Sequence, residues 1–398
     1  MNDEQSIIDS ILSRGVANIY PSPEFLAAKL RKGEKITLYL GVDPTGPTLH
    51  LGHVIPLRKL AQFQKMGHKI ILLMGDFTAM IGDPTDKGAA RIALTRKQVL
   101  ANLKNYKKQA SSMISFSGKN KAEFKYNSKW LGKMKFSDVL SLASNMTVQQ
   151  MLERDMFEKR IEEGKPIYIH EFMYPLMQGY DSVAMGVDGE VGGNDQTFNM
   201  LAGRTLMKTL QNKEKFVITM KLLEDSTGKK MGKTEGNMIA LSDGPEEMFG
   251  KVMSWSDGMI IPGFELCTDI SIKQIESYAR DMVAGMINPR DIKFILGTEI
   301  VTSFYGEHKA AAAYHAFRAT FEKKEIPDNV PTCAFTPETQ LVDVFLEQGI
   351  VVSKGEFRRL IEEGAITHLE TESKIKEVTA VAMKGVYRIG KKRFLKIK

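Results

Sequence analysis

The sequence has little cysteine: two in 398 residues, Cys267 and Cys333, far apart and in no CxxC or metal-ligand spacing. A disulfide framework and a structural zinc site are thereby excluded, and a reducing compartment is expected. There is no uninterrupted apolar run of about 18 residues, so no segment is expected to span a bilayer. The N-terminus, MNDEQSIIDSILSRG, lacks the positive charge and long apolar stretch of a secretory leader; Asp3 and Glu4 stand where basic residues would be needed. These absences point to a cytoplasmic protein without a membrane partner. Internal repeats and low-complexity tracts are missing too.

What is present is the composition of a globular protein, 43% hydrophobic and 26% charged. At roughly 150 residues per domain the length suggests two or three domains. Lys and Arg number 55 against 48 Asp and Glu, a net charge of +7, compatible with a polyanion such as RNA without requiring one. The chain ends GKKRFLKIK, with Lys391, Lys392 and Arg393 among apolar residues. A basic terminus of this kind reads first as a solvated tail.

KITLYLGVDP, from Lys35 to Pro44, reads as a strand entering a turn. In the following helix Val54, Leu57, Leu60, Ala61 and Gln64 form one stripe, Pro56 is expected in the first turn, and Gly67 supplies the stop. KIILLMGD, from Lys69 to Asp76, is a continuous apolar strand suited to burial on both faces. Strand, helix, strand at this spacing implies a parallel sheet with a ligand site beyond its carboxyl ends. Residues 120–166 read as a mainly helical insertion carrying two amphipathic segments. The alternation resumes with the helix HEFMYPLMQGYDSVAMGV, a turn at Gly192 and Gly193, another helix and the strand from Lys215 to Leu223. The expected domains are a catalytic α/β domain (1–224), a lysine loop and α-helical domain (225–326), a proline-bearing linker (327–337) and a small terminal domain (338–398).

Four local features could carry chemistry. LGVDPTGPTLHLGH places His50 and His53 three apart at a helix start, where phosphate oxygens collect; alone, such a pair is as readily a cap as a ligand pair. DSTGKKMGKTEGN is a lysine loop after a strand, and it misses the phosphate-cradling GxxxxGK[ST] spacing by one residue. IGDPTDKGAAR carries Asp83 after a strand, with Lys87 and Arg91 four apart. In YPLMQGYDS, Tyr174, Gln178 and Asp181 share one helical face. They either satisfy one another in the core or line a polar pocket.

Taken together, HLGH (50–53) followed by KMGKT (230–234) resembles the two signatures of class I aminoacyl-tRNA synthetases, with Gly232 and Thr234 in place of two serines. LYLGVDPT, FTAMIGDPT, YPLMQGYDS and VGGNDQ bring the resemblance closer to the bacterial-type tyrosyl-tRNA synthetases, over the whole chain. LVDVFLEQGIVVSKGEFRRLIEEGAI is similar to an S4 RNA-binding domain. The resemblance implies an α/β fold: a Rossmann-like parallel-sheet catalytic domain with a helical insertion, an α-helical domain, and a small α+β S4-like domain.

The implied reaction is activation of L-tyrosine with ATP, Mg²⁺ accompanying the nucleotide and no cofactor bound tightly, then transfer to tRNA(Tyr). The resemblance places Tyr39 and Asp181 at the phenol hydroxyl, and Thr78, Asp83, Tyr174, Gln178 and Gln196 around the rest of the amino acid. His50, His53 and Thr45 would face the phosphates. Gly41, Asp43, Gly52, Gly193, Asp195 and Met231 would flank the nucleotide, Asp195 toward the ribose. Lys87, Arg91, Lys230 and Lys233 would close on pyrophosphate, and Lys354, Arg358, Arg359, Lys391, Lys392 and Arg393 would contact RNA. The insertion would form a homodimer interface. Asn194, where Ser or Thr is usual, and Pro56 depart from the family pattern. A non-catalytic RNA-binding descendant of a synthetase is expected to have lost His50, His53 or the loop lysines, and all are present.

Overall fold

A computed structural model describes residues 2–84, 94–153, 155–224, 238–321, 330–335, 339–371, 373–390 and 393–398. The chain divides into two compact units, Met1–Ala310 and Ala311–Lys398. The first unit opens with α1 (Asn2–Ser13), β1 (Val16–Tyr20), α2 (Pro23–Arg31), β2 (Thr37–Val42), α3 (Leu51–Lys65) and β3 (Lys69–Met74). It continues with α4 (Thr78–Ile81), α5 (Arg96–Leu103), α6 (Tyr106–Ala110), β4 (Glu123–Tyr126), α7 (Ser128–Leu131), α8 (Phe136–Ala143), α9 (Val148–Leu152) and α10 (Asp155–Glu162). After α11 (Ile169–Met185), β5 (Gly189–Gly193), α12 (Thr197–Gln211) and β6 (Phe216–Met220) come α13 (Pro245–Met253), α14 (Ile260–Cys267), α15 (Ile272–Val283) and α16 (Pro289–Tyr305). Helix α17 (Glu307–Phe321) runs across the division.

The strands form one sheet in the order β1-β6-β5-β2-β3-β4, parallel except for β1 at the edge. From β2 the chain builds outward through β3 to β4, whereas β5 and β6 build the other way. The order therefore reverses between β2 and β5, and the crevice beyond their carboxyl ends is the natural ligand site. Burial on both faces explains the apolar sequence of the centre: Leu38, Tyr39 and Leu40 of β2 and Ile70 through Met74 of β3 are all buried.

Several sequence expectations are corrected. His50 caps α3, so the helix begins at Leu51 and Pro56 lies in its second turn. The N–H it lacks would have served the Gly52 carbonyl four residues back. The buried stripe of α3 contains Val54, Leu57 and Leu60 as expected, but Ile55, Lys59 and Phe63 replace Ala61 and Gln64. Asp83 follows the short α4 rather than a strand directly. The stretch 120–166 is not an insertion from its first residue, because Glu123–Tyr126 extends the sheet as β4, and its helical text breaks into α8, α9 and α10 rather than two segments.

Gly192 and Gly193 are not a turn but the end of strand β5. A Cβ added to Gly189 would fall 2.1 Å from the Phe216 ring, and one on Gly192 2.8 Å from Met200 Sδ. Close approach, not a turn, calls for glycine here. Residues 245–310, expected to lie outside the catalytic domain, pack within the first unit. Arg14, for instance, donates to the carbonyls of Phe264, Glu265, Thr268 and Ile270.

The second unit contains β7 (Thr332–Cys333), α18 (Leu341–Glu347), α19 (Lys354–Glu362), β8 (Ile366–His368), β9 (Ser373–Lys374), β10 (Gly385–Ile389) and β11 (Arg393–Ile397). Its sheet runs β7-β11-β10-β8-β9, and its apolar core joins Phe345, Phe357, Tyr387 and Leu395. The linker expected at 327–337 thus contributes a strand. The terminus expected as a solvated tail is strand β11, with Leu395 and Ile397 buried.

Candidate active site

The loop 43–49 carries the chain from β2 to α3 and is held by side chains of α5 and α6. Asn102 Nδ2 donates to Pro44 O (2.8 Å), the Tyr106 hydroxyl to Gly46 O (2.7 Å), and Gln109 accepts from Leu49 N (2.8 Å). Thr45 is exposed on this loop, its N–H on Asp43 O at 2.8 Å. At its end, His50 Nδ1 accepts from Gly52 N (3.1 Å), and His53 Nδ1 accepts from His50 N (3.2 Å), with ring centres 4.0 Å apart. A ring nitrogen that accepts carries no proton, so each imidazole bears its hydrogen on Nε2. Burial holds His50 down to about 4 and His53 well below its ordinary value, His53 also by the neighbouring His50. The pair therefore presents neutral N–H donors at the positive end of a helix.

The segment Ile239–Leu241 pairs with the residues on either side of His50: Leu51 N donates to Ile239 O (3.0 Å) and Leu241 N to Leu49 O (2.8 Å). Lys230, Met231 and Lys233 themselves, like Lys87, Arg91, Lys391 and Lys392, lie outside the described residues.

The other side of the crevice is charged and buried. Asp43 accepts from the Thr78 hydroxyl on Oδ1 (2.7 Å) and from the Tyr174 hydroxyl on Oδ2 (2.8 Å). Asp181 accepts from Trp130 Nε1 (2.7 Å) and Asn127 Nδ2 (3.2 Å). Burial raises the Asp181 carboxyl well above the usual range, opposed by those two donors. Tyr39 is hydrogen bonded through its hydroxyl to Ser182 Oγ (2.9 Å), and burial with nearby Glu190 and Asp181 raises its phenol further. Gln178 Nε2 donates to Glu190 (3.0 Å), and Gln196 Nε2 to Asp83 (2.7 Å). Gly41 sits in β2; Gly193 ends β5, where an added Cβ would fall 2.5 Å from Asp195 Oδ1.

Tyr174, Gln178 and Asp181 share a face of α11, and each bonds to a group from another element. The residues that complete this arrangement, Asn127, Trp130, Ser182, Glu190 and Lys215, were not singled out in the sequence. Trp130 is one of two tryptophans, and Glu190 interrupts a buried glycine-rich strand. Either oddity could have drawn attention to them.

In the second unit Lys354, Arg358 and Arg359 are exposed on α19, Lys354 lying 3.3 Å from Asp343 and Arg359 3.8 Å from Glu363. Arg393 pairs with Glu356 (2.9 Å) and donates to Ile350 O, tying strand to helix.

Comparison with known proteins identifies the family. The profile of the class I tRNA synthetases of the W and Y type matches residues 31–322. The chain is 44% identical to the tyrosine–tRNA ligase of Thermotoga maritima, over all of this chain and 98% of that one. It is also 44% identical to that of Haemophilus ducreyi, over 97% and 96%. Among solved structures, a C-terminally truncated mitochondrial tyrosyl-tRNA synthetase of Aspergillus nidulans shares the fold, with a TM-score of 0.66 at 23% identity over 79% of this chain and 94% of that one. The Archaeoglobus fulgidus tyrosyl-tRNA synthetase, solved with L-tyrosine, shares it with a TM-score of 0.61 at 21% identity over 78% and 100%. No described helix is long and apolar enough to cross a membrane. The chain belongs to the class I tRNA synthetases of the W and Y type, and within them to the tyrosine–tRNA ligases.

Proposed function

We propose that the chain joins the carboxylate of L-tyrosine to the α-phosphorus of ATP, releasing pyrophosphate, and then passes the tyrosyl group to the 3′-terminal adenosine of tRNA(Tyr), releasing AMP. The observation that carries this reading is Asp181, a buried carboxylate held by Trp130 and Asn127 beside Tyr39, an arrangement suited to a phenol hydroxyl. The names of the full-length relatives support the same substrates.

The attacking carboxylate is already ionised, so the first step needs neither a general base nor a protein nucleophile. Charge grows on the phosphate oxygens as the carboxylate oxygen bonds to the α-phosphorus and the bond to the leaving pyrophosphate breaks. Preoriented donors stabilise that charge. His50 and His53 supply two through Nε2–H. Thr45, Lys87, Arg91, Lys230 and Lys233 are assigned to the phosphates. Gly41, Asp43, Gly52, Gly193, Asp195 and Met231 are assigned to the nucleotide, which arrives with Mg²⁺ on its own oxygens. Thr78, Asp83, Tyr174, Gln178 and Gln196 surround the amino acid.

The unit containing α18 and α19 is assigned to RNA, through Lys354, Arg358, Arg359 and the basic terminus. Phosphate contacts of this kind position without reading sequence. A second copy of this chain is the proposed occupant of the apolar surface on α8–α11, where Phe136 is 78% and Ile169 80% exposed, with Leu140, Val148 and Ile161 also uncovered. Replacing Phe136 and Leu140 together by Asp should convert a dimer to a monomer in sedimentation. The cytoplasm follows as the workplace for these substrates. ATP–pyrophosphate exchange with each of the twenty amino acids tests the assignment: tyrosine alone should support it. Exchange with tryptophan instead would overturn the roles of Tyr39 and Asp181.

A further inference from the structure

Behind Tyr39 and Gln178 lies a buried ion pair that none of the roles above uses. Lys215, the residue before β6, is wholly buried. Its ammonium donates to Glu190 Oε2 and, at 2.8 Å, to Ser182 Oγ. The other Glu190 oxygen accepts from Gln178 Nε2 at 3.0 Å, and Ser182 Oγ is hydrogen bonded to the Tyr39 hydroxyl at 2.9 Å. The ammonium also stands 5.8 Å from the centre of the Tyr39 ring. One pair of opposite charges thus reaches two pocket residues, Gln178 through Glu190 and Tyr39 through Ser182.

The packing leaves room for this ammonium. A Cβ on Gly203 of α12 would lie 2.7 Å from Lys215 Nζ and 3.0 Å from Ser182 Oγ. One on Gly179 of α11 would lie 2.8 Å from Leu206 Cδ1 and 3.1 Å from the Gly203 nitrogen. The two helices approach this closely because both positions are glycine. Net stability is a weak account of the pair, since a buried salt bridge often does no better than apolar side chains of similar volume.

We propose that Lys215 and Glu190, acting through Ser182 and Gln178, are positioning residues that set how the pocket reads its amino acid. The proposal rests on the assignment of this pocket to tyrosine. Glu190 takes the amide N–H of Gln178, which fixes the flip of that side chain and leaves its carbonyl Oε1 as an acceptor for the substrate ammonium. Lys215 takes a lone pair of Ser182 Oγ. A hydroxyl engaged in this way is the better donor, because chained hydrogen bonds polarise one another. Ser182 accordingly donates to the Tyr39 oxygen, and the Tyr39 hydrogen, for which Glu190 is the acceptor within the protein, is the one offered to the phenol oxygen of the substrate. Phenylalanine has no oxygen to receive it.

The test is ATP–pyrophosphate exchange with tyrosine and with phenylalanine, on the unsubstituted protein, on Glu190→Gln combined with Lys215→Met, and on Ser182→Ala. In the double variant the KM for tyrosine and the loss of preference over phenylalanine should each change by about tenfold, the size expected of a misplaced hydrogen bond, while the KM for ATP stays put. Ser182→Ala, which leaves the ion pair in place, should lower the preference and move the tyrosine KM less. Melting temperatures are recorded alongside. A folded double variant with unchanged tyrosine KM and preference overturns the proposal, whether or not its Tm has dropped, because a merely structural pair would behave that way. Should the double variant not fold, unchanged preference in Ser182→Ala overturns it. Absence of tyrosine exchange in the unsubstituted protein is a different failure, that of the pocket assignment itself.

Discussion

The two sides of the crevice are built on opposite electrical plans. At the start of α3 the groups are neutral: two imidazoles, oriented by main-chain N–H donors, offer hydrogens to whatever anion arrives. Around α11 they are carboxyl groups, Asp181 and Glu190 buried and Asp43 half-buried, oriented by other side chains so that each faces named donors. A neutral donor set recognises a class of ligand, any phosphate chain of suitable reach. A buried charged set recognises an identity, because a ligand lacking one group leaves a partner unpaired at a cost of about 1–3 kcal/mol.

The largest expected effect lies on the charged side. Asp181→Ala removes the acceptor of Trp130 and Asn127 together with the proposed phenol contact, and tyrosine-dependent exchange should fall on the order of a thousandfold in kcat/KM. Near-normal exchange by a folded variant would erase the distinction between the two sides. On the neutral side His53→Ala should lower kcat by roughly a hundred- to a thousandfold, the usual range for one transition-state donor, and leave tyrosine binding intact. A matching rise in the dissociation constant for tyrosine, followed by fluorescence titration, would show that the sides are not separable.

Smaller effects sharpen the contrast. Gly189→Ala would bring a methyl group against the Phe216 ring beneath both sides, and overpacking of this kind costs about 1–3 kcal/mol in denaturant titration. Full stability of that variant would mean that β5 does not lie this close to β6. The last prediction concerns pH. In the unfolded chain His50 binds its proton near 6.5, and in the folded protein not until about 4, so acidification favours unfolding. The contribution is complete above about 6.5 and is lost as the pH falls toward 4. Between pH 7 and 5 the unsubstituted protein should therefore lose about 1–2 kcal/mol more than His50→Asn, which retains a capping side chain without the titration. Parallel losses would show that His50 takes up its proton as readily in the folded protein as in the unfolded chain.

Legibility in the sequence followed periodicity. The unit β2-α3-β3 could be read because continuous apolar runs, a helical stripe and a terminal glycine leave local marks, and α11 because its apolar stripe is long. Strand β5 could not, since GEVGG carries the residue least suited to strands, and the neighbours that call for glycine, Phe216 at Gly189 and Met200 at Gly192, lie outside the strand. The histidine pair and the shared face of Tyr174, Gln178 and Asp181 stood out locally, whereas Tyr39 was named only through a resemblance. Their supports were hidden because each hydrogen bond joins separate elements: Asn127 and Trp130 reach Asp181 from the far side of more than 50 positions. Lys215 looked like an ordinary cation opening a strand, and nothing local tells a buried ammonium from a solvated one.

Strand β11 has a consequence for the order of events at the ribosome. It lies between β7 and β10, pairing with both, so the final residues form an interior strand of their sheet. That sheet can close only after residues 393–397 have been made. The large sheet is different: β1, its most N-terminal strand, waits only for β6, which ends at Met220. Because domains tend to fold in order of synthesis, the large sheet can assemble well before the small one has all its strands.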